Sequence, residues 1–377
     1  MFNKHDLKKN ECMLKGGFAQ KGYDWWWHSF TARDEETGEE KPFFIEFFLC
    51  NPALAEDTPV LGQSFANQKM HKKPSYLMVK AGCWGEEKAQ LHRFFPWKKV
   101  LLHGQAPFYL AAGDCHLSEN ATSGCISISK EEAQTHPEWM SDAGQIRWNL
   151  RIKKMVAFNV GYGTSELFRK MEAFEMYWHA EGMKSQFSGT VEYNGRKYIV
   201  TDEDSYGYAD KNWGSNFTSP WLWLSSCNLV SKKNGKTLRN SVFDIGGGRP
   251  RVFGIPLNRK LLGAFYYEGK EYEFNFSKFW TGATSKFECT ETEDEIQWKV
   301  ILTTRTAMLK VAAKCRKADM LFVNYESPDG YKRHNRLWNG GNAKGRIKLY
   351  EKVDGQWELV DDMYASNMGC EYGEYDK

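Results

Sequence analysis

The sequence predicts an all-β protein made of two tandem antiparallel units that close as barrels. Three observations predict it: turn dipeptides recur at short intervals, the segments between them alternate polar and apolar residues, and helical periodicity is scarce. Closure is expected because hairpin-rich units of this size would otherwise leave unpaired strand edges.

The elements follow in chain order. Trp25-Trp26-Trp27-His28 and the apolar run from Pro42 to Cys50 read as strands, as does Ile126 to Ser129. A short helix over Ser129 to Gln134 is signalled by a capping box, with Ser129 at the N-cap and Glu132 three residues on. Gln145 to Lys153 alternates without a break, so Ile146, Trp148, Leu150 and Ile152 should line one buried face. A second short helix is expected over Ser165 to Phe174. Near it, across 159–185, Asn159, Gly161 and Gly163 mark a composition shift, which places the domain boundary at 185. The expected domains are therefore 1–185 and 186–377.

The hairpin pattern restarts at Gly189 to Glu192 and Lys197 to Val200, about the turn Asn194-Gly195. Further strands are Glu271 to Phe276, Glu295 to Leu302, Met320 to Val323, Ala343 to Glu351 and Trp357 to Val360, with turns at Asn234-Gly235, Glu268-Gly269 and Asp354-Gly355. Met363 to Lys377 reads as a loose polar tail.

Composition narrows the function. The 377 residues carry 51 basic and 48 acidic side chains, a formal net charge of +3, which gives no electrostatic basis for a nucleic-acid partner. Aromatics make up 15% of the chain, with 15 Trp, a payload suited to deep pockets or sheet cores. The first ten residues lack an apolar stretch, and no window reaches the ~18 apolar residues of a spanning helix. A cytoplasmic protein is expected, with peripheral membrane contact left open. Nine cysteines without a C-x-x-C pair read as free thiols, and neither they nor the scattered histidines make a metal site. No cofactor is expected. Gly246-Gly247-Gly248 is not a phosphate loop, because no Lys-Ser/Thr follows and Pro250 and Pro256 forbid a helix soon after.

The chemistry-bearing stretch is Tyr208-Ala209-Asp210-Lys211-Asn212-Trp213-Gly214, followed by Phe217, Pro220, Trp221, Trp223, Cys227 and Asn228. This order resembles the signature of the tocopherol cyclase family. Trp178, Gly182, Gly189, Val191-Glu192-Tyr193-Asn194-Gly195 and the later glycine triplet resemble the flanks of that signature, so the match covers roughly 175 to 280. The N-terminal half, through Trp25-Trp26-Trp27-His28 and Glu46 to Pro52, is more similar to bacterial members. Through Y-x-D-x-N-x-G the motif is also similar to carotenoid hydratases. The resemblance implies two lipocalin-like halves and an enzyme that protonates a prenyl alkene, with a phenol or water capturing the cation. It carries Tyr208 and Asp210 over as the acid site.

Read on their own, the residues fit that chemistry but also plainer roles. An acid that protonates an alkene must keep its proton at neutral pH, which burial among apolar walls achieves. Trp213, Phe217 and Trp221 are close enough in sequence to build such walls around Asp210, although an Asp beside Lys211 more commonly pairs with it or caps a turn. Tyr208 and Asn212 share the strand parity of Asp210, so Tyr208 could orient the carboxyl and Asn212 a substrate oxygen. Trp213, Trp221 and Trp223, with Trp178, Trp25 and Trp27, offer π faces to a cation, or simply form sheet core.

Glu46 is the rival acid: a carboxylate inside an apolar strand must be protonated, reach water at a rim, or pair with a cation on the next strand. His28 could titrate near neutrality or serve only packing. Two other functional classes fit the composition, a carrier for an apolar ligand and a carbohydrate-active protein. The second would need two carboxylates across an open cleft.

Overall fold

The computed structural model describes residues 2–158, 170–330 and 333–374. It is an all-β protein, in which the chain separates into two compact units. The first comprises Met1–Ala157, Met176–Phe217 and Asn324–Asn335, and the second Phe158–Glu175, Thr218–Val323 and Arg336–Lys377.

The first unit is built on a sheet of twelve strands among the described residues. They are β1 (Tyr23–Asp34), β2 (Glu40–Cys50), β3 (Tyr76–Cys83), β4 (Ala89–Phe95), β5 (Val100–His103), β6 (Tyr109–Ala112), β7 (Cys115–Ser118), β8 (Ala121–Ile128), β9 (Gly144–Phe158), β10 (Met176–Tyr193), β11 (Arg196–Val200) and β12 (Gly207–Gly214). The order is β4-β3-β2-β1-β11-β10-β9-β8-β7-β6-β5, and β12 pairs with both β1 and β10. β1 meets β12 from Tyr23 to Ser29 and β11 only at Arg33 and Asp34, so β12 fills the gap between β1 and β10. In β9 the alternation does what was expected, since Ile146, Trp148, Leu150 and Ile152 are all buried. The helix at Lys130–Thr135 carries the Ser129–Glu132 capping box.

The second unit holds the other large sheet, ordered Lys270–Phe274, Lys260–Tyr267, Val242–Gly248, Trp221–Ser226, Gln356–Gly373, Arg333–Val353, Ala307–Arg316, Glu295–Thr303 and Thr284–Glu291. Its core interleaves Leu222, Leu224, Phe243, Ile245, Trp298 and Leu309. In the glycine triplet, a Cβ on Gly248 would collide with the Pro220 carbonyl, so close backbone packing accounts for that residue.

Three expectations meet a different structure. The boundary at 185 falls inside β10, and the motif strand β12 belongs to the first unit, because its backbone is hydrogen-bonded to β1. The tail from Met363 is ordered strand as far as Gly373, as it pairs with Trp221–Ser226 on one side and Arg333–Val353 on the other. Ser165 to Arg169 of the second expected helix lie outside the described residues, and Phe174 bridges to Val252.

Among the described residues no helix is long and apolar enough to cross a membrane.

Candidate functional site

All eight residues of β12 are buried, so both faces of this strand are occupied. Side chains alternate across it. Tyr208, Asp210 and Asn212 therefore share one face, and Ala209, Lys211 and Trp213 the other. Asp210 is 8% exposed. Its Oδ2 accepts two hydrogen bonds, from the Tyr208 hydroxyl at 3.2 Å and from the Trp178 indole Nε1 at 2.8 Å. Trp178 reaches it from β10, where it stands opposite Asn212. Lys211 points the other way and forms its ion pair with Asp24 beneath the Trp26 ring.

Register extends the Asp210 face across the sheet. Asp210 lies opposite Trp27, Trp27 opposite Glu46, Glu46 opposite Lys80 and Lys80 opposite His92. Directly opposed residues project from the same face of a sheet, so these five side chains form one row over five strands. The next row, two residues along, runs Trp178, Asn212, Trp25, Phe48, Met78 and Phe94. Tyr325 lies over both rows. Its ring centroid is 5.0 Å from that of Trp25 and 4.2 Å from Lys80 Nζ, and its hydroxyl donates to Glu46 Oε2 at 3.2 Å. Phe217 stacks on Tyr23 and Trp25 at 4.4 and 5.7 Å.

The electrostatics of this row are set by burial. Lys80 Nζ is 3.0 Å from Glu46 Oε2, with both side chains fully buried. Burial pushes the Glu46 carboxyl above its ordinary range, against the opposing pull of Lys80. His92 is pushed well below its usual value by burial and by the Lys80 charge, so its ring is neutral. Its Nδ1 is 2.8 Å from the Trp139 carbonyl, which can only accept. Nδ1 therefore carries the hydrogen, and Nε2 presents a lone pair.

Among the described residues, the buried polar atoms on this face without a hydrogen-bonding partner include the donors Trp25 Nε1, Trp27 Nε1 and Asn212 Nδ2, and the acceptors Glu46 Oε1 and His92 Nε2. Buried polar atoms in folded proteins are nearly always satisfied. Their convergence on one face therefore marks a place built to meet polar atoms of something else. On the remaining oxygen of the Asn212 amide, the Tyr23 hydroxyl donates at 2.8 Å.

The structure thus gathers Asp210, Tyr208, Asn212, Trp178, Trp25, Trp27, Phe217 and Glu46. It does not gather the rest. Trp213 lies on the opposite face, stacked on Tyr177 at 5.4 Å. His28 is also there, 3.5 Å from Glu181, and burial holds its imidazole below the usual value. Trp221 and Trp223 belong to the second unit, where their indoles donate to Glu371 and Asp244 at 2.6 and 3.0 Å.

Lys80, His92 and Tyr325 were missed by sequence reasoning. Lys80 carried a signal, a lone lysine inside the apolar strand Tyr76–Cys83, of the same kind that singled out Glu46. Tyr325 carried none, since it is far from the motif in sequence. Among the described residues no group of three His, Cys, Asp or Glu could hold a metal ion. A groove of about 560 Å³ lined by Gln63, Phe65, Gln68, Pro137, Met140 and neighbours shares no residue with the Asp210 face.

Fold and site together define an all-β protein with a buried carboxyl set among indoles. The chain belongs to the tocopherol cyclase-like family, whose model matches residues 105–374. Among solved structures, CghA with Sch210972 is similar at 12% identity over 95% of this chain and 90% of that one, with a TM-score of 0.48. Kievitone hydratase from Nectria haematococca is similar at 12% identity over 95% and 93%, with a TM-score of 0.44. No curated protein matches the chain.

Proposed function

We propose that this protein is an enzyme that protonates an alkene of an apolar, isoprenoid-type molecule with Asp210, after which a phenol of the same molecule or a water captures the cation. Family membership supports the reaction class. The observation that carries the assignment to Asp210 is the pair of donors on Oδ2 of a buried carboxyl. The neutral acid is the form that must bind substrate. The proton then sits on Oδ1, because Oδ2 already accepts from Tyr208 and Trp178. As it leaves, negative charge develops on the carboxyl, and both donors strengthen in step with it. Interactions that grow toward the transition state are the ones that accelerate the step. Trp25 and Trp27 on the same face then offer ring faces to the tertiary cation, worth about 0.5 to 2 kcal/mol each.

The test is Asp210→Asn, assayed with prenylated phenols and terpenoid alkenes for product and for binding. The expected result is loss of turnover by at least about a hundredfold, with ligand affinity within about threefold of wild type. Unchanged turnover removes the acid role. Binding without turnover in the wild type makes the protein a carrier.

A further inference from the structure

We propose that Glu46, held by Lys80, is a second station of the same site, which receives the hydroxyl of the attacking nucleophile and takes its proton. This rests on the acid role of Asp210 and extends it to the other half of the reaction.

The position comes from register. Glu46 is two strands from Asp210, with only Trp27 between them in the row. Neighbouring strands are about 4.8 Å apart, so the two carboxyls are spaced by about 10 Å along the sheet. That is the span of an acid, an alkene, an attacking oxygen and a base, each within contact or hydrogen-bond reach of the next.

The chemistry comes from the unsatisfied atoms. Glu46 Oε1 and His92 Nε2 are acceptors buried without a donor, while Trp25, Trp27 and Asn212 offer donors without an acceptor. Hydroxyl donors, one at each acceptor, supply what the first two lack, and ether or carbonyl oxygens what the other three lack. A pure hydrocarbon supplies neither. Lys80, 3.0 Å from the far oxygen of Glu46, opposes the upward pull of burial on this carboxyl, and Tyr325 fixes it with a hydrogen bond to that same oxygen. Oε1 is left to act as the base.

The step balances. The Asp210 O–H bond breaks as a C–H bond forms on the alkene. The hydroxyl oxygen donates a lone pair to the cationic carbon, and its O–H proton passes to Glu46 Oε1. Asp210 ends as carboxylate and Glu46 as acid, and exchange with water restores both before the next turnover. The net change to the substrate is ring closure when the hydroxyl is its own, or hydration when it belongs to water.

The test compares ortho-prenylphenol with its O-methyl ether, which keeps the alkene and loses the donor. Wild type should bind the phenol about tenfold more tightly than the ether. Asp210→Asn should keep that preference, whereas Glu46→Gln should lose it, because Lys80 and Tyr325 hold the amide oxygen and leave its NH2 in place of Oε1. The paired replacement Glu46→Leu with Lys80→Met, which removes the ion pair without stranding a charge, should abolish it.

In deuterated water, Glu46→Gln should still exchange deuterium into the alkene of recovered substrate while forming product at least about a hundredfold more slowly. Asp210→Asn should do neither. Equal affinity of wild type for phenol and ether overturns the station, as does full product formation by Glu46→Gln. Product formation by Asp210→Asn overturns the acid role, leaving the hydroxyl preference to be read separately. Failure of wild type to bind either compound overturns both.

Discussion

Trp178 donates its indole N–H to Asp210 Oδ2 across 2.8 Å from the neighbouring strand β10, and the acid is thereby held from two strands at once. A hydrogen bond to a group that becomes charged contributes about 1.5 to 3 kcal/mol. Trp178→Phe keeps the ring and removes the donor. It should lower turnover about 10- to 100-fold with little change in thermal midpoint, and Tyr208→Phe should do the same from within β12. Single-turnover kinetics of the two variants check this. A variant that loses affinity instead of rate would make the donor a ligand contact.

The opposite face offers a stability prediction independent of activity. Asp24 and Lys211 form a fully buried ion pair, with Asp24 also accepting from the Met13 amide at 2.7 Å. Removing one partner strands a charge, at a cost of about 3 to 5 kcal/mol. Lys211→Met should therefore lower the urea midpoint substantially, and adding Asp24→Asn should recover part of the loss. A midpoint unmoved by Lys211→Met would mean that water reaches Asp24.

Acid sensitivity follows from Glu181. Burial drives its carboxyl up, but Lys154 at 2.9 Å and His28 at 3.5 Å outweigh this and hold it at about 2, against 4.5 for the exposed group. A depressed carboxyl contributes stability that is complete above the unfolded value and lost as pH falls through the folded one. The window here runs from about 4.5 down to about 2 and is worth on the order of 3 kcal/mol. His28, whose burial lowers its value from 6.5, adds to the same slope at higher pH. Denaturant midpoints measured between pH 7 and pH 2 should show this decline, and Glu181→Gln should flatten its lower part.

Gly82 tests the floor of the site. It lies opposite Phe44 in β2, and a Cβ there would collide with the Phe44 ring and the Ala89 carbonyl. Phe44 in turn stacks on Trp27 at 4.8 Å. Overpacking of this kind costs about 1 to 3 kcal/mol. Gly82→Ala should lower stability by that order and change the fluorescence of Trp27, while Gly269→Ala at an open turn should leave that fluorescence alone.

Local pattern made part of this legible. Period-two alternation located β9, hairpin dipeptides located the turns, and parity along β12 correctly grouped Tyr208, Asp210 and Asn212. Parity also separates Trp213 from them, a consequence of the same rule that the motif's compactness in sequence obscures. The partner of Lys211 could not be read, because Asp24 lies 187 residues away. The same holds for the first unit, which is built from three separate segments of the chain. Whether a strand following a hairpin stays with its neighbours or crosses to pair with β1 depends on long-range contacts that no window of sequence contains. Glu46 was visible as an anomaly in an apolar run, but its cation could be found only once β3 was placed beside it.

The row from Asp210 to His92 draws a single side chain from each of five strands, so no short segment of the chain contains the chemistry. Sliding any one strand by a single residue would replace its contribution with the neighbour from the other side, exchanging Glu46 for Ile45 or Phe47. Single-residue insertions or deletions within Pro42 to Cys50 should therefore be far more damaging than substitutions there. On the proposed function, a partly assembled sheet lacks part of this row, and the proposed reaction needs all five strands docked.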